Sequence, residues 1–281
     1  MPELPEVETV VTELNAVTKG AKITSSETLT QKIRIPVPPE LDLSLKNKVI
    51  LHVTRRAKYI LIHLDGDKIL VIHLGMSGRI HIHEADKKTA TQKHDHLILH
   101  LSNGKDVFFN DPRRFGLIEL IDEEKINSHR LFSHLGPEPL SRNFSPSFLA
   151  GALKSRKGPV KVALMDQCLV VGVGNIYASE ALFEAGIHPE TSAQKLTIQK
   201  IEKLTAAIKA VLKSAIKAGG STLKDYRKTN GDLGYFQHKF AVYDRAGKAC
   251  RGCVCDIAKT GGVQKITQGG RSTFYCPRKQ L

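Results

Sequence analysis

No apolar run in this 281-residue chain approaches the roughly 18 residues needed to cross a bilayer as a helix. The amino terminus carries Glu3, Glu6 and Glu8, where a secretory leader would show basic residues and then an apolar stretch. A soluble cytosolic protein without a membrane partner is expected. Cysteine is scarce. There are five, an odd number that suits no disulfide framework, and four of them (Cys250, Cys253, Cys255, Cys276) crowd the carboxy-terminal end while Cys168 stands apart. Such crowding suggests a local metal site. No GxGxxG, P-loop or HExxH spacing is present, so nucleotide-cofactor binding and zincin-type chemistry have no support. Acidic residues are short only in the second half: residues 1–140 hold 19 Lys/Arg against 19 Asp/Glu, residues 141–281 hold 23 against 9. The whole net charge of +14 therefore falls on one half. That polarity suits a polyanion gripped mainly by that half, although a solubility bias would give the same count.

What is present divides in two. Pro5 and Glu6 suit the first turn of a helix, and Val7, Val10, Val11, Leu14 and Val17 follow at helical spacing up to Gly20. Residues 23–110 then read as strands, "KVILHVT", "KYILIHL", "KILVIHL" and "HLILHL" among them, with hairpin turns at Asp65-Gly66 and Asn103-Gly104. An antiparallel sandwich or barrel is expected there. The stretch "HLGPEPLS" at 134–141 marks a boundary, after which the period becomes helical. Ser145-Pro146 opens one helix to about Lys154, a second spans about 175–185, and a third about 195–217, stopped by Gly219-Gly220. Residues 219–236 form a polar connection, and 240–281 read as a β-hairpin bearing the cysteines.

Two features bear on chemistry. "GVGN" at 172–175 precedes a helix and offers backbone amides to a phosphate, or is simply a helix cap. Pro2 is the other. If Met1 is removed, Pro2 becomes a secondary amine, and α-amino groups ionise at about pH 8, well below lysine. Such an amine can attack a sugar C1′, displace a base and leave an iminium ion, with Glu3 and Glu6 at hand as acids or bases. An ordinary amino-terminal residue is the other reading.

The motifs "MPELPEVETV" (1–10), "RRAKYIL" (55–61), "HLGMSGR" (73–79), "DPRRFG" (111–116), "GVGNIYASE" (172–180) and "GRSTFYC" (270–276) resemble, in order and over nearly the whole length, the bacterial formamidopyrimidine-DNA glycosylase family. The resemblance implies an α+β fold: an amino-terminal catalytic β-sandwich with flanking helices over 1–133 and a linker at 134–141. A helix-two-turn-helix DNA-binding domain with a lesion loop at about 219–236 would occupy 142–236, and a zinc-finger-like β-hairpin 240–281. It implies a monomeric bifunctional glycosylase and abasic-site lyase of base excision repair. Such an enzyme removes 8-oxoguanine and formamidopyrimidines from double-stranded DNA and cuts the strand by β,δ-elimination. Pro2 would be the nucleophile, Glu3 the proton donor with Glu6 in support, Lys58 a donor in β-elimination and Arg271 the residue of δ-elimination. Met76, Arg113 and Phe115 would enter the duplex as the lesion leaves it, while His94, Arg156, Lys161 and Asn175 would hold phosphates.

One motif departs from the family. Its zinc finger uses two Cys-x-x-Cys pairs; here Cys250 and Cys253 form the first, but the second reads "CPRK", with Cys276 present and Lys279 in the fourth position. Either Cys255 or His238 supplies the missing ligand, or water completes a weaker site, or the hairpin stands without metal. A structural zinc of reduced affinity is the expectation, and no metal is expected in the chemistry. Two rivals remain: a damaged-DNA-binding protein without catalysis, favoured if Met1 is retained, and a metal-dependent nuclease built on His94, Asp95 and His96.

Overall fold

The first helix, α1 (Leu4–Thr18), carries Pro5 in its opening turn and buries Val7, Val10, Val11 and Leu14 along one face. It stops where Gly20 takes a left-handed φ of 81°. The computed structural model describes residues 2–85, 91–222, 229 and 231–281; Met1 and residues 223–228 and 230 of the expected lesion loop lie outside the described residues. The chain divides into two compact units, Met1–Ser133 with Ala218–Tyr235, and His134–Lys217 with Phe236–Leu281.

In the first unit α1 is followed by β1 (Ile23–Thr28), a short helix α2 (Leu41–Leu45), and β2 (Ile50–Arg56), β3 (Tyr59–Leu64), β4 (Lys68–His73), β5 (Arg79–Glu84), β6 (Asp95–Leu101), β7 (Lys105–Asn110) and β8 (Leu117–Asp122). These strands form two four-stranded sheets, ordered β1-β6-β7-β5 and β2-β3-β4-β8, in which every pairing is antiparallel. Both turns read from the sequence are hairpin turns, with Gly66 at φ 71° between β3 and β4 and Gly104 at φ 76° between β6 and β7. Alternate residues build the core: Ile60, Ile62 and Leu64 of β3 and Leu70 and Ile72 of β4 join Leu97, Leu99 and Leu101 of β6, Val107 and Phe109 of β7, and the apolar face of α1. Because strands of both sheets share this one core, the unit is a sandwich, and β4 is buried on both faces from Ile69 to Ile72.

Residues 218–235 rejoin this first unit, although the sequence reading attached them to the helices before them. Among the described residues, carboxylates on α1 hold this segment by accepting the N–H and hydroxyl protons of Ser221 and Thr229.

The second unit contains α3 (Pro146–Leu153), α4 (Val160–Leu164), α5 (Asn175–Ala185), α6 (Ile198–Lys217), α7 (Ile257–Thr260) and the two-stranded hairpin of β9 (Gln264–Gln268) and β10 (Arg271–Tyr275). Ser145 caps α3 by accepting the Phe148 N–H at 3.1 Å. The third helix starts three residues later than its sequence pattern suggests, because Ala193–Lys195 form a separate single turn. Gly269 and Gly270, both left-handed, make the two-residue loop of the hairpin. Phe183, Val242, Val263 and Phe274 pack with Cys250 and Cys276 in a small core beneath it.

Candidate functional site

Pro2 and Glu3 are buried at the start of α1, where the helix dipole favours negative charge. Glu6, only 2% exposed, turns back one helical turn, and its Oε2 accepts the Glu3 N–H at 2.8 Å. This is the capping-box arrangement, with Glu3 as the cap. The other oxygen, Oε1, accepts both the N–H and the hydroxyl of Ser221, at 2.7 and 2.9 Å. The carboxylate beside the chain's first residues is thus held from both sides.

Lys58 is buried in the tight turn between β2 and β3, which Ala57 makes with a positive φ of 54°. Arg55 ties that turn to α1: its Nε meets Glu8 at 2.6 Å and its Nη1 donates to the Ala57 carbonyl at 2.8 Å. Close by, His73 ends β4. Burial, and then the positive charges of Lys58 and Arg34, push its pKa down to about 4. Its ring is therefore neutral at pH 7, and its Nδ1 accepts the Gly75 N–H at 3.0 Å.

The loop after β4 carries Met76, half-buried, and the loop after β7 carries Arg113 and Phe115, both exposed, with the guanidinium 4.9 Å from the Phe115 ring centroid. The two loops touch through backbone: a Cβ on Gly75 would lie 2.4 Å from the Phe115 carbonyl carbon, and Gly75 also has a positive φ of 61°. What fastens them is Asp111, fully buried. Its carboxylate accepts from the Ser77 hydroxyl at 2.6 Å, the Gly116 N–H at 2.7 Å and the Arg113 N–H at 3.3 Å. Its backbone N–H donates to the carbonyl of His94, which stands at a left-handed φ of 79°, and its own carbonyl accepts from His96 Nε2 at 2.9 Å. The sequence reading quoted Asp111 within a motif but gave it no role. The signal the sequence offers is its place in "DPRRFG", just ahead of Arg113 and Phe115. The nuclease rival loses its basis here: Asp95 accepts from the Gln92 N–H and the Asn110 amide, His96 serves Asp111, and the grouping with metal-ligand geometry among the described residues lies elsewhere.

In the second unit Asn175 opens α5 and links it to the hairpin. Its amide donates to the Ser272 carbonyl at 2.9 Å and to the Tyr243 hydroxyl at 3.2 Å, and its Oδ1 accepts from Lys161 Nζ at 2.5 Å. Lys161, expected on a phosphate, is instead fully buried, and its ammonium also donates to Thr273 at 2.6 Å. It braces the strand that begins with exposed Arg271. Arg156 is half-buried and ion-paired with Asp166 at 2.7 Å. Glu180, which the sequence reading also passed over, accepts three backbone N–H groups from Ala241, Val242 and Tyr243 at 2.8–3.0 Å, and so anchors the segment leading to the cysteines.

The four carboxy-terminal cysteines converge, with ligand sulfurs all within 4.8 Å of one another. Cys250 Sγ lies 2.9, 3.3 and 3.5 Å from the sulfurs of Cys253, Cys255 and Cys276. Cys255 can join although it stands two residues from Cys253, because Gly252 takes a φ of 113° and the Cys255 N–H folds back onto the Cys253 carbonyl at 3.1 Å. Edges of about 3.8 Å would match a tetrahedral zinc with Zn–S bonds near 2.3 Å, so the four sulfurs fit that ion with a small expansion. Of the outcomes left open for the fourth place, the geometry favours Cys255 as the ligand. Lys279 itself turns aside: its ammonium sits 4.0 Å from the Phe183 ring centroid and 3.6 Å from Glu184.

Known proteins resemble this chain in sequence and fold. The model of the formamidopyrimidine-DNA glycosylase N-terminal domain matches residues 1–118, and that of the formamidopyrimidine-DNA glycosylase H2TH domain matches residues 135–227. The formamidopyrimidine-DNA glycosylase of Rhodospirillum rubrum is 48% identical over 280 residues, covering 100% of both chains. Among solved structures, a Lactococcus lactis Fpg variant in complex with Fapy-dG-containing DNA has a TM-score of 0.89 at 34% identity, covering 99% of each chain. A complex of Lactococcus lactis Fpg with DNA containing an abasic site has the same TM-score at 33% identity.

Proposed function

The chain belongs to the formamidopyrimidine-DNA glycosylase family, and on that footing we propose that it excises oxidised purines from double-stranded DNA with Pro2 as nucleophile and then cuts the strand. The observation that carries the reading is the buried Pro2-Glu3 start of α1, with Glu6 folded back upon it. A residue with no task beyond beginning the chain has no need of such enclosure.

With Met1 removed, the Pro2 nitrogen attacks C1′ as the glycosidic C1′–N bond breaks, and the base departs with a proton. The nitrogen lone pair then opens the sugar ring: the C1′–O4′ bond breaks, Glu3 gives its proton to O4′, and a cationic iminium joins Pro2 to the open sugar. The carboxylate of Glu6 offsets that positive charge. Loss of a C2′ proton expels the 3′ phosphate, a step in which Lys58 passes a proton, and a second elimination assisted by Arg271 expels the 5′ phosphate. Water then releases Pro2 from the remaining fragment.

Before any of this the damaged nucleotide must leave the stack. Met76 and Phe115 suit the vacated space as apolar wedges, and Arg113, steadied over Phe115, can read the orphaned base with its planar fork. His94 and Asn175 would contact phosphates, Asn175 by giving up one of its present partners. Arg156 reaches a phosphate only by exchanging Asp166 for it. Zinc, when bound, would be held by Cys250, Cys253, Cys255 and Cys276, where it cross-links the segment that carries the hairpin.

Borohydride trapping tests the proposal. The protein is incubated with duplex DNA bearing 8-oxoguanine opposite cytosine, reduced with NaBH4 and digested for mass spectrometry. A covalent adduct on Pro2, with Met1 absent, is the expected result. A free Pro2 terminus that binds the lesion duplex tightly yet yields no adduct would mean a damage-binding protein without catalysis.

A further inference from the structure

Helix α1 carries the same device twice. Glu6 accepts the N–H and the hydroxyl of Ser221 on one oxygen, and Glu13, seven residues and two turns further along the same face, accepts the N–H and the hydroxyl of Thr229 on one oxygen, at 2.9 and 2.8 Å. The two clamps differ in what lies behind them. Glu13 Oε2 serves Thr229 alone among the bonds just named, whereas the second oxygen of Glu6 takes the N–H of Glu3.

The contact at Ser221 is closely built. Gly220 stands at a φ of +76°, and a Cβ there would lie 3.0 Å from Glu6 Cγ and 3.1 Å from Glu6 Oε1. A Cβ on Gly234 would in turn lie 2.4 Å from the Gly220 carbonyl oxygen. Two glycines thus let the backbone press onto the Glu6 side chain from one side and close behind it on the other. Two donors on Oε1 fix the plane of the carboxylate, and that plane determines where Oε2 holds Glu3.

We propose that Ser221 is a positioning residue of the reaction, acting through Glu6 on the placement of Glu3 and Pro2; the inference rests on the reading of those three residues given above. A proton donor displaced by a fraction of an ångström from its acceptor loses rate while substrate binding stays intact, because the duplex is gripped elsewhere.

Three variants separate this from mere anchoring of the chain. Ser221→Ala removes one donor to Glu6, Ser221→Thr keeps it, and Thr229→Val removes the matching donor from the clamp that does not reach Glu3. Excision of 8-oxoguanine is followed in single turnover with enzyme in excess, and binding is measured on a duplex containing a tetrahydrofuran abasic analogue. Ser221→Ala should slow excision and borohydride trapping alike by about tenfold, roughly the effect of one hydrogen bond to a charged group, with the duplex Kd within about twofold. Ser221→Thr and Thr229→Val should both stay within about twofold of the wild-type rate. An unchanged rate in Ser221→Ala, or an equal loss in Thr229→Val, overturns the proposal while leaving the Pro2 chemistry standing. Absence of any Pro2 adduct in the wild-type protein overturns both.

Discussion

Replacing Asp111 by alanine should release the two loops that carry Met76, Arg113 and Phe115. The side chain is fully buried, and its two short bonds, to Ser77 at 2.6 Å and Gly116 at 2.7 Å, are made by an acidic acceptor. Hydrogen bonds of that kind contribute about 1.5–3 kcal/mol each, and removing the acceptor leaves the donors buried without it, so Asp111→Ala should cost about 4 kcal/mol. Asp111→Asn keeps one oxygen and presents an N–H to the other donor, so about half that loss is expected. The backbone bonds of Asp111 with His94 and His96 survive both changes, which confines the damage to the loops. Urea unfolding gives the stability, and amide exchange at Gly116 and Arg113 gives the local opening, which should rise by at least about tenfold for 1.4 kcal/mol lost locally. A duplex with a tetrahydrofuran site should bind more weakly, while one without a lesion should bind as before. If Asp111→Ala unfolds within about 1 kcal/mol of wild type with Gly116 exchange unchanged, Asp111 is not the fastening inferred here.

Other perturbations read other parts of the molecule. Cys255→Ser should retain under about a tenth of the zinc held by the wild-type chain after dialysis, measured by plasma mass spectrometry, whereas Lys279→Ala should retain it, since that ammonium lies on Phe183 and Glu184. Lys161→Met removes the shared donor to Asn175 and Thr273; a loss of about 2–4 kcal/mol is expected, and gels of cleaved DNA should show more β- and less δ-elimination product as the Arg271 strand loosens. His73, lowered from 6.5 to about 4, resists protonation in the fold, so stability should fall by about 3 kcal/mol as pH drops from 6.5 towards 4, and His73→Gln should flatten that slope. His100 should act with the opposite sign: burial lowers its pKa, but hydrogen bonds to Asp106 and Glu27 outweigh this and raise it. The stabilisation from His100 is full below about pH 6.5 and is lost as pH rises through the raised value, so His100→Gln should cost most in mild acid and little at pH 9.

Local rules made much of this architecture readable. Pro5 and Gly20 bracket α1, Ser145-Pro146 opens α3, and the Asp-Gly and Asn-Gly pairs turn two hairpins, because each depends on a few adjacent residues. Strand β5 was harder: "RIHIHE" alternates, but with histidine in the polar places, and β8 follows a motif that draws attention to chemistry rather than pairing. The partners of Lys161 and Glu180 are beyond local reading, since Thr273 is 112 residues from Lys161 and Ala241 is 61 from Glu180. Buried charges of this sort look in sequence like surface residues. Cys255 was obscured for a different reason: its closeness to Cys253 argues against shared ligation until the backbone reversal at Gly252 is known.

The division of the chain also sets an order on its making. The first unit is interrupted: its sandwich is encoded by residue 133, yet residues 218–235, which clamp Glu6 and Glu13, follow the whole of α6. A ribosome that has delivered the sheets has not yet delivered Ser221 or Thr229. The amino terminus, first to be made, must therefore await about a hundred further residues before its helix acquires those partners. A chain cut short inside α6 would hold Pro2, Glu3 and Lys58 without the clamps, so completion of the amino-terminal helix and its contacts is timed by synthesis of the other half.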